Sequence, residues 1–291
     1  MPLHRRLAAL LLCLALATAG ACSLLKMSYN RAPALTYWWL DGYLDFDAAQ
    51  KPVMQRALAR LHAWHYVHEL PAYLHLLDDL QQLVNETVTP EQVCRIVDRV
   101  RGHALALNTQ AAGITMEIAL SLTARQLVRL AQKFEDRNED WRENWMEGTL
   151  KERQAYRLKQ AIKRARYLYG SVEDAQESLL SKAIAESSFD PEVSYAAVLQ
   201  REHAALDLLH AIAERRLAGN AAAAAITQFY DTLLTPQDPA YASYIRTLTL
   251  ESCRLIAEFH NTTTPAQRQH ATERLHGYRD DLSSVRAPVT P

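Results

Sequence analysis

Glycine is scarce in this chain, 8 of 291 residues, and cysteine scarcer still at 4. The first shortage disfavours a sandwich or barrel built on many tight turns, and the second excludes a small disulfide scaffold. An excess of one charge is missing too, since 32 Lys and Arg face 33 Asp and Glu for a formal net charge of -1. That balance argues against a nucleic-acid binder, whose footprint is a strong basic surplus. No segment alternates apolar and polar residues with period two, so no sheet is expected, and no run beyond residue 25 is apolar for long enough to cross a bilayer. The mature chain has no GxSxG, Walker loop, GxGxxG or CxxC pattern. No nucleophile is therefore nominated, no cofactor is implied, and a non-enzymatic protein is the expectation.

What is present first is an address. His4, Arg5 and Arg6 precede the uncharged apolar run Leu7 to Ala17, and small residues lead up to Cys22. This is the layout of a secretory signal over residues 1–21. The expected organisation continues with a tether at 22–35, one all-helical domain at 36–285 and a frayed tail at 286–291. Loss of Arg5 and Arg6 leaves 30 basic against 33 acidic residues, a net charge of -3. Export also removes nucleic acid from the list of partners. The uncharged stretch Leu7 to Leu25 leaves a second option, a retained membrane anchor. Of the mature cysteines, Cys94 and Cys253 both lie in helical, largely apolar stretches. An oxidising compartment allows a bridge between them; two small buried hydrophobes are the alternative.

One helix-start grammar then recurs. Phe46 to Gln50, Val88 to Gln92, Leu122 to Gln126, Val172 to Gln176 and Thr263 to Gln267 each read as a preceding residue, an N-cap, two opening positions and Gln at N3, with Thr235-Pro236-Gln237 a partial copy. A cap side chain accepts from the N3 amide while Gln reaches back to the cap amide. Long amphipathic helices should follow, including one from Asp47 to Val84 kinked at Pro71, and others near 90–108, 110–121, 124–168 with Gly148 as a point where it can break, 174–187, 191–218, 220–233, 240–260 and 265–283. The expected fold is all-α, an irregular bundle without a sheet. Tyr37, Trp38 and Trp39 are expected to pack the first helix into the core, with Leu40 and Tyr43 extending that face; the alternative puts these aromatics at a membrane interface.

Three resemblances add to this reading. Ala19-Gly20-Ala21-Cys22 resembles the lipobox of bacterial lipoproteins, although Ala19 stands where Leu is usual. The resemblance implies that Cys22 is cleaved free and acylated, and Ser23 in place of Asp implies sorting to the outer membrane with the domain in the periplasm. Several acyl chains anchor a soluble domain stably, which one chain does not. Tyr37-Trp38-Trp39-Leu40-Asp41-Gly42-Tyr43, with Trp64-His65 and Glu69-Leu70-Pro71-Ala72-Tyr73, resembles an uncharacterised family of proteobacterial lipoproteins carrying WWLDxY and WHxxELPxY segments. More loosely, Leu122-Thr123-Ala124-Arg125-Gln126 is similar to the LTxxQ pattern of periplasmic stress chaperones.

Two clusters could carry chemistry. His62, His65, His68, Glu69, His75, Asp78 and Asp79 are dense enough to suggest a metal, but His68, His75 and Asp79 fall opposite Tyr66, Leu70 and Leu77 on a helix, which favours a solvated face. His203, Asp207, His210 and Glu214 form a similar stripe, read as surface pairs. From Glu135 to Glu147 the balance is -4, and from Lys151 to Arg166 it is +6. Trp141 and Trp145 in the acidic block, with Arg153, Arg157 and Arg164 in the basic one, are the candidate partner-binding residues. The leading expectation is a lipid-anchored envelope protein that binds other proteins as a chaperone-like or assembly factor. A metal-binding or hydrolytic lipoprotein and a structural tether between envelope layers are the alternatives.

Overall fold

Capping chemistry sets most of the helix boundaries. Thr89, Thr123 and Thr264 sit in extended backbone and accept from the amide three residues on, while Gln92, Gln126 and Gln267 accept from the cap amides. The computed structural model describes residues 24–288 and contains, among them, helices and no strand. A helical run at 24–30 leads into α1 (Ala32–Leu44), followed by α2 (Gln50–His68), α3 (Leu70–Leu83), α4 (Pro90–Ala119), α5 (Ala124–Trp145), α6 (Leu150–Tyr169), α7 (Asp174–Glu186), α8 (Pro191–Ala213), α9 (Gly219–Leu234), α10 (Pro239–Asn261) and α11 (Pro265–Ser283). The all-α expectation holds.

Three differences from the sequence reading have local causes. The expected helix 124–168 is two helices, because Gly148 takes φ +78° and Thr149 caps a new start with Glu152. The expected pair 90–108 and 110–121 is the single helix α4; Thr109 bonds back to the Leu105 carbonyl at 3.1 Å and Asn108 donates to the Tyr230 carbonyl at 3.2 Å, so neither interrupts it. Thr235-Pro236-Gln237 starts nothing, since Asp238 accepts from the amides of Ala240 and Tyr241 and caps α10. Residues 24–35, expected as a tether, are largely helical. At the other end, the Arg286 amide donates to Asn30 and Val285 is buried, so the tail is docked at its start. Pro71 behaves as expected: α2 and α3 are separated only at Glu69, and the bonds Glu69 N to His65 O and Tyr73 N to Glu69 O run through the kink.

The core lies in three clusters. Leu44, Met54, Leu58, Ile118, Leu122, Leu127 and Leu130 join α1, α2, α4 and α5. Ala112, Ala119, Ile212, Ala222 and Ile226 let α4, α8 and α9 approach closely over small side chains. Val84, Tyr169, Leu180, Phe259, Ala271 and Leu275 gather α6, α7, α10 and α11. A bond between Cys94 and Cys253, 159 residues apart, ties α4 to α10.

The repeated Gln has a second use beyond its own cap. Gln50 and Gln126 form a reciprocal amide pair, at 3.2 and 2.7 Å, and Gln176 and Gln267 form another, at 2.9 Å both ways. In each pair the second N–H goes to the carbonyl five residues before the partner: Ser121 and Asp45 in the first, Thr262 and Ser171 in the second. Each Oε1 also accepts from the amide three residues before it. All four side chains are buried, and two donors and two acceptor sites per amide are satisfied. Leaving half of such a pair in place would strand buried donors, a cost of about 1–3 kcal/mol. Two helix starts are thus clasped together twice, once across α2 and α5 and once across α7 and α11.

Candidate functional site

A cleft opens where α6, α7 and α10 meet, with a volume of about 560 Å³. The break at Gly148 makes it, because it turns the basic helix α6 back beside the end of α5 and brings Trp145 to the cleft wall. Trp141 and Trp145 stack at 5.1 Å, and Trp145 meets Tyr156 edge-on at 5.3 Å and Phe189 at 5.7 Å. Phe189 in turn lies under the Arg157 guanidinium, 4.6 Å from its ring centre. Arg157 donates to the Ile184 carbonyl at 3.4 Å, and burial pulls its pKa downward against the raising influence of Tyr244 and Glu251. It stays a cation, since a guanidinium does not lose its proton in a protein.

Arg164, Lys182 and Arg254 complete the positive lining, and Glu186, Glu251 and Glu258 the negative. Glu251 is already engaged: it accepts from the Ser187 hydroxyl and the Ser188 amide at 3.1 Å. Burial raises its pKa, but those donors and the Arg254 charge outweigh burial and hold the carboxyl below its ordinary range. Lys182 reaches Glu186 at 4.0 Å. None of the ion pairs formed among the described residues involves Arg157, Arg164 or Arg254. Three guanidinium groups therefore stand beside an aromatic wall outside any direct ion pair, with Glu251 as the acidic neighbour whose charge reaches Arg157 and Arg254, an arrangement suited to a carboxylate flanked by apolar groups.

The chain belongs to a family of unknown function, DUF6279. The family matches residues 42–222, more than half of the chain, and so includes Trp145, Arg157 and Arg164 of the cleft but not Glu251 or Arg254. It also spans the whole Gln50–Gln126 clasp and only one member of the other. No curated protein matches the chain, and no solved structure does.

Of the candidates named from sequence, the fold of this DUF6279 member brings Trp145, Arg157 and Arg164 together. Arg153 is spent elsewhere, donating at 2.9 Å to the Met146 carbonyl and closing the turn before α6. Trp141 stands behind Trp145, its buried Nε1 without a partner among the described residues. Cys22 lies outside the described residues. The metal candidates disperse: His68 bonds the Trp64 carbonyl and stacks on that indole, Asp79 pairs with Arg99, and His75 is exposed. Among the described residues no three His, Cys, Asp or Glu side chains converge as metal ligands. In the other stripe, His210 reaches Glu214 at 3.9 Å, and Glu214 pairs with Arg216 at 2.7 Å.

Sequence reasoning missed two features. Phe189, Lys182, Glu251 and Arg254 enter the cleft from α10, α7 and the turn after α7, far from Trp145 in sequence, and no local pattern announces them. His68, His75 and Asp79 lie on a solvated face, as expected, but His62, His65 and Glu69 of the same His-rich stretch turn inward and form a cluster. Glu69 is buried and bonds His103 Nδ1 at 2.7 Å; His65 bonds the Tyr29 hydroxyl at 2.9 Å; His62 lies 4.9 Å from the Tyr29 ring. Burial pulls the His62 and His65 pKa values down and pushes Tyr29 up to about 12. The spacing of Trp64-His65 and Glu69 to Tyr73 held this signal, because the kink at Pro71 turns Glu69 and Tyr73 toward His103.

Proposed function

We propose that this chain is a lipid-anchored protein of the outer membrane whose periplasmic domain binds an acidic, partly apolar segment of another envelope protein in the cleft between α6, α7 and α10, and that it acts by binding rather than by catalysis. The observation that carries this reading is the trio Arg157, Arg164 and Arg254 beside Trp145 and Phe189, none of them in a direct ion pair among the described residues. A guanidinium fork takes a carboxylate through two parallel hydrogen bonds, and neighbouring aromatic rings bury the apolar part of the same segment. Support for the anchor comes from Ala19-Gly20-Ala21-Cys22 behind a complete signal layout. The LTxxQ pattern at Leu122 to Gln126 supports a chaperone-like or assembly role.

The test is photo-crosslinking in cells with the probe at Gln160, which lines the cleft. A discrete envelope partner, captured through an acidic segment and lost in Arg157→Glu with Arg164→Glu, is the expected result. The exposed Arg246, outside the cleft, serves as the charge-reversal control. Adducts that survive the double reversal would remove the cleft from the account.

A further inference from the structure

Two faces of the N-terminal helical segment are apolar, and among the described residues only one packs on the core. Tyr37, Leu40, Tyr43 and Leu44 pack on the first core cluster, and Tyr29 closes over His62 and His65. On the other side Leu24, Met27, Leu35, Trp38 and Trp39 are exposed, Trp38 by 74 %. At about 100° per residue, positions 24, 27, 35, 38 and 39 fall within one sector of roughly 120°. The backbone permits this continuity, since Arg31 N bonds Met27 O and Leu35 N bonds Arg31 O across the turn at Arg31.

We infer that this face lies in the headgroup region of a phospholipid bilayer, so that the protein rests on its membrane instead of hanging from it. The inference rests on the proposed membrane attachment of the N-terminal segment. Leu24 is two residues beyond Cys22, and two residues of extended chain span at most about 7 Å. An acyl-bearing Cys22 and a retained anchor over Leu7 to Leu25 would each bring this face to the bilayer surface. The composition fits that place. Trp is the residue whose amphipathic ring favours the interface, and the only charged residues between 24 and 40 are Lys26 and Arg31. Arg31 lies within the same sector, where a long cationic side chain reaches phosphate while its stem remains among apolar groups. A soluble surface would waste an apolar stripe of this kind; a bilayer interface buries it.

The test places an environment-sensitive fluorophore on Leu35→Cys, and separately on Val128→Cys, in full chain reconstituted into phosphatidylethanolamine–phosphatidylglycerol vesicles. Val128 is likewise an exposed apolar residue, on α5. Position 35 should emit to the blue of position 128 and be quenched by doxyl-labelled lipid, and Trp38→Asp with Trp39→Asp should abolish both effects while leaving the melting temperature unchanged. Equal emission at 35 and 128 in vesicle-bound protein would overturn the inference and leave the anchor standing. A chain that neither floats with vesicles nor fractionates with cell membranes would overturn the attachment itself, and the inference with it. A blue shift that needs no vesicles and grows with protein concentration would assign the face to a second copy and overturn the inference equally.

Discussion

Trp38 and Trp39 on α1 and Trp141 and Trp145 on α5 are both helical indole pairs, yet the fold exposes the first and half-buries the second. Spacing explains the contrast. Adjacent helical residues diverge by about 100°, so a face already filled by Tyr37, Leu40 and Leu44 has no room for both Trp38 and Trp39, which are 74 % and 53 % exposed. Residues four apart share a face, so Trp141 and Trp145 stack, with Trp145 at the cleft wall and Trp141 behind it. An aromatic count thus says little about burial; the interval between aromatics and the occupancy of the neighbouring face say more.

The contrast can be broken from either side, beginning with the cystine. It pins α10, a wall of the cleft, to α4 and does not touch α1. Replacing both Cys94 and Cys253 by Ala should lower stability in urea by about 4 kcal/mol, given the long loop it closes. It should also raise acrylamide access at Trp145 while leaving Trp38 as it was. Next, Trp145→Ala should cost about 3 kcal/mol by opening a cavity between Tyr156 and Phe189, whereas Trp38→Ala should stay within about 0.5 kcal/mol in solution. Paired urea titrations decide it, and equal losses would erase the distinction. Arg164→Glu, at an exposed position of the cleft rim, should then weaken partner capture about tenfold or more, which corresponds to at least about 1.4 kcal/mol of binding, with little change in melting temperature.

Acid sharpens the comparison last and most gently. Burial holds His62 and His65 below the ordinary imidazole range, with His62 and His103 adding to the effect at His65 and Glu69 opposing it. The folded state therefore prefers the neutral rings. Their contribution is complete above the unfolded imidazole pKa near 6.5 and is lost as pH falls below it, through the depressed folded values. His260 follows the same sign, bonded to the Tyr169 hydroxyl and the Glu86 carbonyl at 2.9 Å. No histidine lines the cleft. Hydrogen exchange between pH 7.5 and 5.5 should accordingly show faster exchange around Tyr29 and α2 than around Trp145.

Much of the fold was legible. Five of the repeated Gln motifs mark real helix starts, because a capping box is local chemistry complete within four residues. Their pairing was not, since Gln50 and Gln126 meet only after three intervening helices return the chain, and nothing in either motif encodes the other. The same limit governs the cleft. Trp145, Arg157 and Arg164 stand out by spacing and charge, whereas Phe189, Glu251 and Arg254 acquire a role only when α7 and α10 dock on α6. The break at Gly148 was within reach, for a glycine followed by Thr149 and Glu152 is itself a capping signature. Trp38 and Trp39 misled because a helix with two apolar faces gives no internal sign of which one meets the core.

The most direct test of two indole pairs with opposite surroundings is quenching of native Trp fluorescence in membrane-bound protein. One variant retains only Trp38 and Trp39, the other only Trp141 and Trp145, the remaining tryptophans being Phe. Brominated phospholipid should quench the first variant strongly and the second hardly at all, and release from the membrane should make the first the more accessible to acrylamide. Strong bromolipid quenching of Trp141 and Trp145, or none at Trp38 and Trp39, would contradict the account.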